Sequence, residues 1–155
     1  ELNMEPGKLI IKIAALLFIL VQLSAYTMAD RSAGDGIPYE IADRYFLKND
    51  VGNEMPSVIT EAAEFNEYFG MATVMGGIPT PIDFSQNYVI TVVLPQTDTV
   101  TRLEPVSLKQ GCADNIIFTY KVIKGEKVSY TMRPILVVIV DRQYGTDVQV
   151  CSERN

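Results

Sequence analysis

Few residue types in this chain could perform chemistry. The 155-residue sequence has no histidine, which excludes Ser-His-Asp and Cys-His catalysis and any zinc site with imidazole ligands. It has two cysteines, Cys112 and Cys151, which without histidine make a poor metal site. In an oxidising compartment they could form one disulfide, and closing a loop of about 40 residues contributes roughly 4 kcal/mol. Two separate thiols are the alternative, and the sequence leaves both open because it does not give the Cα separation.

The carboxylates and hydroxyls form no recognisable catalytic set. Asp83, in the step Asp83-Phe84-Ser85, could act as an acid, but a turn residue whose carboxylate accepts local N–H groups is the favoured interpretation. Ser57 and Ser85 lack the Ser-x-x-Lys spacing of a serine–lysine pair. A hydrolase that uses carboxylates alone would need two facing acids within about 10 Å in a cleft. We therefore expect no enzymatic activity, no cofactor and no metal.

One helix is predicted among the elements that would position these groups. It covers residues 60–69, with Thr60 as the N-terminal cap and Gly70 as the end. One stripe of this helix is apolar, and it consists of Ala62, Phe65 and Phe69. The stripe could form a partner groove, but packing against a sheet is favoured.

The rest of the domain is predicted to be β. Residues 87–94 are apolar on both faces, as in a central strand, and residues 135–140 should form the buried centre of the sheet. Pro105 makes residues 100–108 an edge strand. Further strands are predicted at residues 39–48, 116–124, 128–132 and 148–151, with a hairpin turn at 124–127. The pattern indicates a single α+β domain, a mainly antiparallel β-sheet with one helix packed on it, over residues 39–155.

The start of the chain resembles a bacterial export signal. Lys8 and Lys12 lead into an apolar run that is too short for the roughly 20 residues of a membrane span. Cleavage after Ala29 would define a signal peptide over 1–29 and a flexible tether over 30–38. We therefore expect an exported protein of the periplasm or cell surface, without an integral membrane span in the mature chain.

A second interpretation of the leader involves lipid anchoring. Leu23-Ser24-Ala25 is similar to the first three residues of a lipobox, which precedes the lipidated cysteine of bacterial lipoproteins. Here Tyr26 follows, and a phenol cannot form the thioether to the lipid. Anchoring through Tyr26 is therefore excluded for the chain as written, although lipoprotein relatives remain an alternative.

Composition limits the partners. The net charge of -6 lacks the electrostatic footprint of a nucleic-acid binder and is not suited to an anionic membrane surface. Tryptophan is absent, which weakens a carbohydrate-binding interpretation. Partner-binding candidates are Ile78 and Pro79, in a loop with two glycines and two prolines, and Tyr130 and Tyr144, because tyrosine is enriched at interfaces.

Three features of residues 59–150 occur together: the helix Ile59-Thr60-Glu61…Phe65…Phe69, the step Ile82-Asp83-Phe84-Ser85 before an apolar strand, and the later strand Pro134-Ile135-Leu136-Val137-Val138-Ile139. In these features, residues 59–150 resemble the C-terminal domain of the PrcB-like protease-complex subunits. The family often has a Gly-rich segment where Pro95-Gln96-Thr97-Asp98 stands here. The resemblance implies an exported, non-enzymatic protein that binds and stabilises or regulates an envelope protease. The alternative function is a glycan or small-molecule binding module of the envelope.

Overall fold

The computed structural model describes residues 36–52, 54–72 and 77–153. The predicted signal peptide lies outside these residues. The described residues belong to one compact unit, Gly34–Asn155. Its strands are β1 (Glu40–Ile41), β2 (Tyr45–Leu47), β3 (Val58–Ile59), β4 (Phe69–Met71), β5 (Asn87–Val93), β6 (Thr97–Gln110), β7 (Ile116–Met132), β8 (Ile135–Asp141) and β9 (Val148–Ser152). Helix α1 covers Ala62–Tyr68, and a 3-10 turn covers Arg142–Tyr144.

A long hairpin, folded back on itself, forms the centre of the domain. β5 pairs with β8 in antiparallel register up to Val93↔Ile135, and β6 pairs with β7 from Thr97↔Met132. The two halves join at a corner, where the Leu94 N–H donates to the Pro134 carbonyl at 3.0 Å. The result is a four-stranded sheet, β1-β8-β5-β3, and a three-stranded sheet, β6-β7-β9. The mainly antiparallel α+β fold predicted from the sequence is confirmed.

Two apolar cores lie on opposite faces of the four-stranded sheet. The first core lies between the two sheets, where Tyr88, Ile90 and Val138 pack with Ile116 and Phe118. The second core lies between the four-stranded sheet and the layer formed by α1, β2 and β4. Its buried members are Ala42, Ile59, Phe65, Phe69, Val89, Val137 and Ile139. Both faces of β5 and β8 are buried, which explains why their sequences are continuously apolar. The prediction that these two strands are central is confirmed.

Only part of the predicted apolar stripe packs on the sheet from the helix: Phe65 is buried in α1, whereas Ala62 is exposed and Phe69 belongs to β4. Phe65 stacks on Phe69 with ring centroids 4.8 Å apart, and both side chains are buried. The predicted ends of the helix were wrong by one or two residues. Glu61 occupies the N-cap position without a side-chain cap, and Gly70 lies in β4 rather than ending the helix. The helix ends early because Phe69 turns extended to pair with Leu47 of β2.

Arg142 ties the start of α1 to the central sheet. Its guanidinium donates to the carbonyls of Phe84, at 3.0 Å, and Asn87, at 3.2 Å, and also to the carbonyl of Thr60. The backbone before the helix is therefore held by an arginine from the end of β8. Thr60 takes part through its carbonyl, not as the predicted side-chain cap.

The predicted hairpin turn at 124–127 was wrong. β7 runs unbroken from Ile116 to Met132, and its register with β6 passes from Thr101↔Lys124 to Thr99↔Lys127. Three residue steps on β7 thus oppose two on β6, which defines a bulge. Such an extra residue bends a strand, and this bulge lies close to the corner where the long hairpin folds over.

The N-terminal part of the domain also differs from the prediction. The single strand predicted at 39–48 is two short strands, β1 and β2, separated at Arg44, whose φ is 65°. The fold also begins before Tyr39, inside the predicted tether, since Ile37 is buried and its N–H donates to the Leu108 carbonyl at 2.7 Å. At the other end, β9 pairs with β7 in parallel, because β8 crosses to the opposite sheet between them.

Candidate interaction site

The two cysteines are free thiols in the structure. Cys112 is exposed in the turn before β7, and Cys151 is half-buried on β9 opposite Thr119. Thr119 lies three residues, or about 10 Å of strand, beyond Ile116, where β7 begins. Cys112 precedes Ile116, so the two cysteines are separated along β7 by about this length of strand. A disulfide needs Cα atoms roughly 4.4–6.8 Å apart. The β7–β9 register therefore favours the alternative of two separate thiols.

The four predicted partner-binding residues lie on three different elements. Tyr130 is 60% exposed on β7, whereas Tyr144 ends the 3-10 turn and packs against the first core. Ile78 is 88% exposed in the loop before β5, and Pro79 beside it is half-buried. Of the two tyrosines that the sequence could not distinguish, Tyr130 is the surface residue.

The loop that presents Ile78 is fixed to the chain between β1 and β2. Thr80 accepts a hydrogen bond from the Asp43 N–H through its side chain at 3.0 Å, and its carbonyl accepts from the Tyr45 hydroxyl at 2.7 Å. Gly77 lies against the Arg44 side chain, so a Cβ at residue 77 would clash with the guanidinium. The exposed Ile78 is therefore held beside the small sheet formed by β2 and β4.

Asp83 is a turn residue, as favoured from the sequence. One carboxylate oxygen accepts hydrogen bonds from the Ser85 N–H at 2.9 Å and the Ser85 hydroxyl at 2.6 Å. These two bonds hold the pKa of the Asp83 carboxyl below its usual value. Its carbonyl also accepts from the Asn87 N–H at 2.8 Å. The residue thus organises the turn into β5.

A groove of about 490 Å³ lies between β2 and the corner of the long hairpin. Its lining residues are Tyr45, Phe46, Leu47, Lys48, Asn49, Gln96, Thr131, Arg133 and Ile135. Two separate parts of the chain thus form the two walls, residues 45–49 on one side and the corner residues on the other. Phe46 is 49% exposed.

The edge of β2 away from β4 has open backbone groups. The Lys48 N–H donates to the Tyr68 carbonyl at 2.9 Å, and the Ala72 N–H donates to the Arg44 carbonyl at 2.8 Å. The N–H and C=O groups of successive residues point to alternate sides of a strand, so those of Tyr45 and Leu47 point away from β4. Within the described ranges, β4 is the only strand that pairs with β2.

The opposite wall is polar and is tied to the chain that follows β2. Gln96 donates from Nε2 to the Thr131 hydroxyl oxygen at 2.6 Å. Arg133 donates to the carbonyls of Val51, at 2.9 Å, and Gly52, at 2.7 Å. These contacts hold Val51 and Gly52 against the corner.

β6 is an edge strand of its sheet, as Pro105 predicted, but its edge is protected. The Leu108 carbonyl already accepts the Ile37 N–H, and the register with β7 shifts at three places, one of them at Pro105/Ser107. Bulges, proline and charged side chains are features that hinder further strand pairing. The edge strand predicted at 100–108 is therefore less open to strand addition than β2.

Sequence reasoning missed the groove because its walls are distant in the chain and meet only through the corner. A weak signal was present in Tyr45-Phe46-Leu47, where three large apolar residues in one strand cannot all face one core. Among the residues that the structure describes, no cluster of three or more metal-ligating side chains is present. No helix in the same residues is long and apolar enough to span a membrane.

The chain was compared with known protein families, with curated proteins and with solved structures, and no match was found in any of the three comparisons.

Proposed function

We propose that this domain is a non-catalytic exported protein that binds another protein of the bacterial envelope, with a protease as the specific candidate partner. The sequence supports the export and the absence of catalysis through its leader and its lack of histidine. The protease follows only from the resemblance to PrcB-like subunits. It remains a prediction.

The observation that supports protein binding is the set of exposed apolar side chains around β2. Phe46 is 49% exposed on β2, and Ile78 is 88% exposed in the loop that is bonded to Asp43 and Tyr45. Met71 of β4 is also exposed, but it lies opposite Tyr45 in the register and therefore on the other face of the small sheet from Phe46. Single exposed apolar residues are ordinary, but Phe46 also lines the groove beside the open edge of β2, and together these features indicate an interaction surface.

The alternative, a glycan or small-molecule module, depends on a face lined by tyrosines. Every tyrosine from Tyr39 onward except Tyr130 packs against one of the two cores. Tyr45 is the one tyrosine that lines the groove. The described residues therefore do not assemble the aromatic platform that this alternative requires.

Capture from an envelope extract of the encoding bacterium tests the proposal. The wild-type chain is expected to recover one stoichiometric partner, which mass spectrometry identifies and which is then purified for direct titration. Phe46→Asp combined with Ile78→Asp should lose this partner, because both side chains would desolvate on binding. Val106→Asp is the matched control, since Val106 is similarly exposed but lies on β6. Recovery of no stoichiometric partner by the wild type would refute the proposal.

A further inference from the structure

We propose that the groove beside β2 binds an extended segment of a partner polypeptide by strand addition, and that this segment bears an acidic side chain. The inference rests on the proposed function and names the site and the chemistry of the partner. The occupant is a peptide segment rather than a glycan, since the groove offers an open strand edge.

The first support is the spacing of the open backbone groups. Tyr45 and Leu47 are two residues apart, which on an antiparallel strand is about 6.8 Å. Each offers one N–H and one C=O away from β4. An antiparallel peptide would therefore exchange two hydrogen bonds with Tyr45 and two with Leu47, the pattern by which peptides extend a sheet edge.

The second support is the polar wall across the groove. The Thr131 hydroxyl accepts from Gln96 and keeps its own proton to donate, while the Gln96 side-chain carbonyl remains an acceptor. These side chains can form hydrogen bonds with the N–H and C=O groups on the outer edge of a bound strand, which would otherwise have no protein partner. The contacts of Arg133 with Val51 and Gly52 make this wall a fixed part of the fold.

The third support is charge. The residues that line the groove include Lys48 and no carboxylate, although the chain as a whole has a net charge of -6. Lys48 donates to the Asn66 carbonyl at the end of α1, which uses one of its three N–H donors. A cationic groove on an acidic protein favours an acidic segment and disfavours a basic one.

Defined peptides test the proposal on the full chain. The probe is a fluorescein-labelled peptide, Thr-Val-Thr-Asp-Val-Thr-Val, with two matched versions: Lys in place of Asp, and N-methyl groups on alternate residues. Fluorescence anisotropy is expected to show the Asp peptide binding at least about tenfold more tightly than the Lys peptide. N-methylation should remove binding, because it blocks the backbone bonds and leaves the side chains unchanged.

Amide hydrogen exchange by NMR provides a local readout. The Tyr45 and Leu47 amide protons should exchange quickly in the free protein and slow at least about tenfold with saturating Asp peptide. Lys48→Glu should weaken the Asp peptide and favour the Lys peptide, whereas Lys109→Glu, an exposed charge on β6, should change neither. Thermal melting confirms that both variants fold.

Three outcomes overturn the proposal: no binding by either unmethylated peptide, equal binding of the methylated peptide, or unchanged exchange at Tyr45 and Leu47. Concentration-dependent self-association that protects the same two amides would instead assign the groove to a second copy of the chain. If the envelope capture succeeds and these tests fail, the proposed function stands without the groove. If the capture fails, the peptide results still decide what the groove binds.

Discussion

Tyr88 provides the sharpest test of the packing. Its side chain is 0% exposed in the first core, and its hydroxyl is the one buried side-chain polar atom that lacks a hydrogen-bond partner among the described residues. Leaving a buried hydroxyl unpaired costs about 1–3 kcal/mol. Tyr88→Phe removes the hydroxyl and keeps the ring, so we expect it to increase the free energy of unfolding by about 1 kcal/mol. For a domain of this size, that raises Tm by about 4 °C.

The same substitution should change the alkaline stability. Burial raises the pKa of Tyr88 from 10.0 to about 12. Because the pKa is raised in the folded state, the unfolded chain ionises first above pH 10. The contribution of Tyr88 is therefore constant below pH 10 and becomes destabilising between pH 10 and 12, by up to about 3 kcal/mol. The Tyr88→Phe variant should lack this loss of free energy of unfolding between pH 10 and 12.

Urea unfolding at pH 7 and at pH 10–11.5 measures both effects. Tyr130→Phe is the matched control, since it removes the same hydroxyl from an exposed tyrosine and should leave the free energy of unfolding at pH 7 unchanged. If Tyr88→Phe lowers the free energy of unfolding at pH 7 by more than about 1 kcal/mol, the hydroxyl has a partner in solution, and the reasoning is refuted. If the free energy of unfolding of Tyr88→Phe falls above pH 10 as steeply as that of the wild type, only the prediction from the raised pKa of Tyr88 is refuted.

Three further predictions concern the second core, the thiols and the arginine anchor. Phe65→Ala should lower the free energy of unfolding by about 3–5 kcal/mol in urea titrations, whereas the exposed Phe46→Ala should cost less than about 1 kcal/mol. Ellman titration of the native protein should detect rapid reaction of Cys112, and reduction should leave the intact mass unchanged; a gain of about 2 Da would reveal the disulfide. Arg142→Ala should cost about 2–4 kcal/mol by thermal melting, because it leaves several carbonyls without a donor, and equal loss in the exposed Arg102→Ala would contradict this explanation.

The buried pattern of the strands was predictable because it depends on local alternation. The sequence predicts a strand at 116–124, and its alternating residues Ile116, Phe118, Tyr120 and Val122 all belong to or pack against the first core. The continuous apolar runs likewise identified β5 and β8 as central. The helix was found from the helical spacing of Ala62, Phe65 and Phe69, although of these only Phe65 is a buried residue of α1.

The errors have a common physical origin. A charged segment with a glycine at 124–127 has the composition of a turn, but in the folded chain it is a bulge, because β6 continues to pair on both sides of it. The end of the helix was misplaced because pairing of Phe69 with Leu47 replaces the local signal at Gly70. In both cases a distant strand supplied the hydrogen bonds that decided the local conformation.

By itself, the sequence determined that this chain has no histidine for catalysis or metal binding, that it belongs to the α+β class, and which side chains form most of the cores. These follow from residue types and from short-range periodicity. The tertiary structure decided how the long hairpin folds at its corner and that β9 pairs in parallel. It also decided that Cys112 lies in the turn before β7 while Cys151 lies on β9, and that β2 faces a groove. These features depend on which distant segments meet, and pairing between strands is set by the packing of whole sheets, which no local pattern specifies.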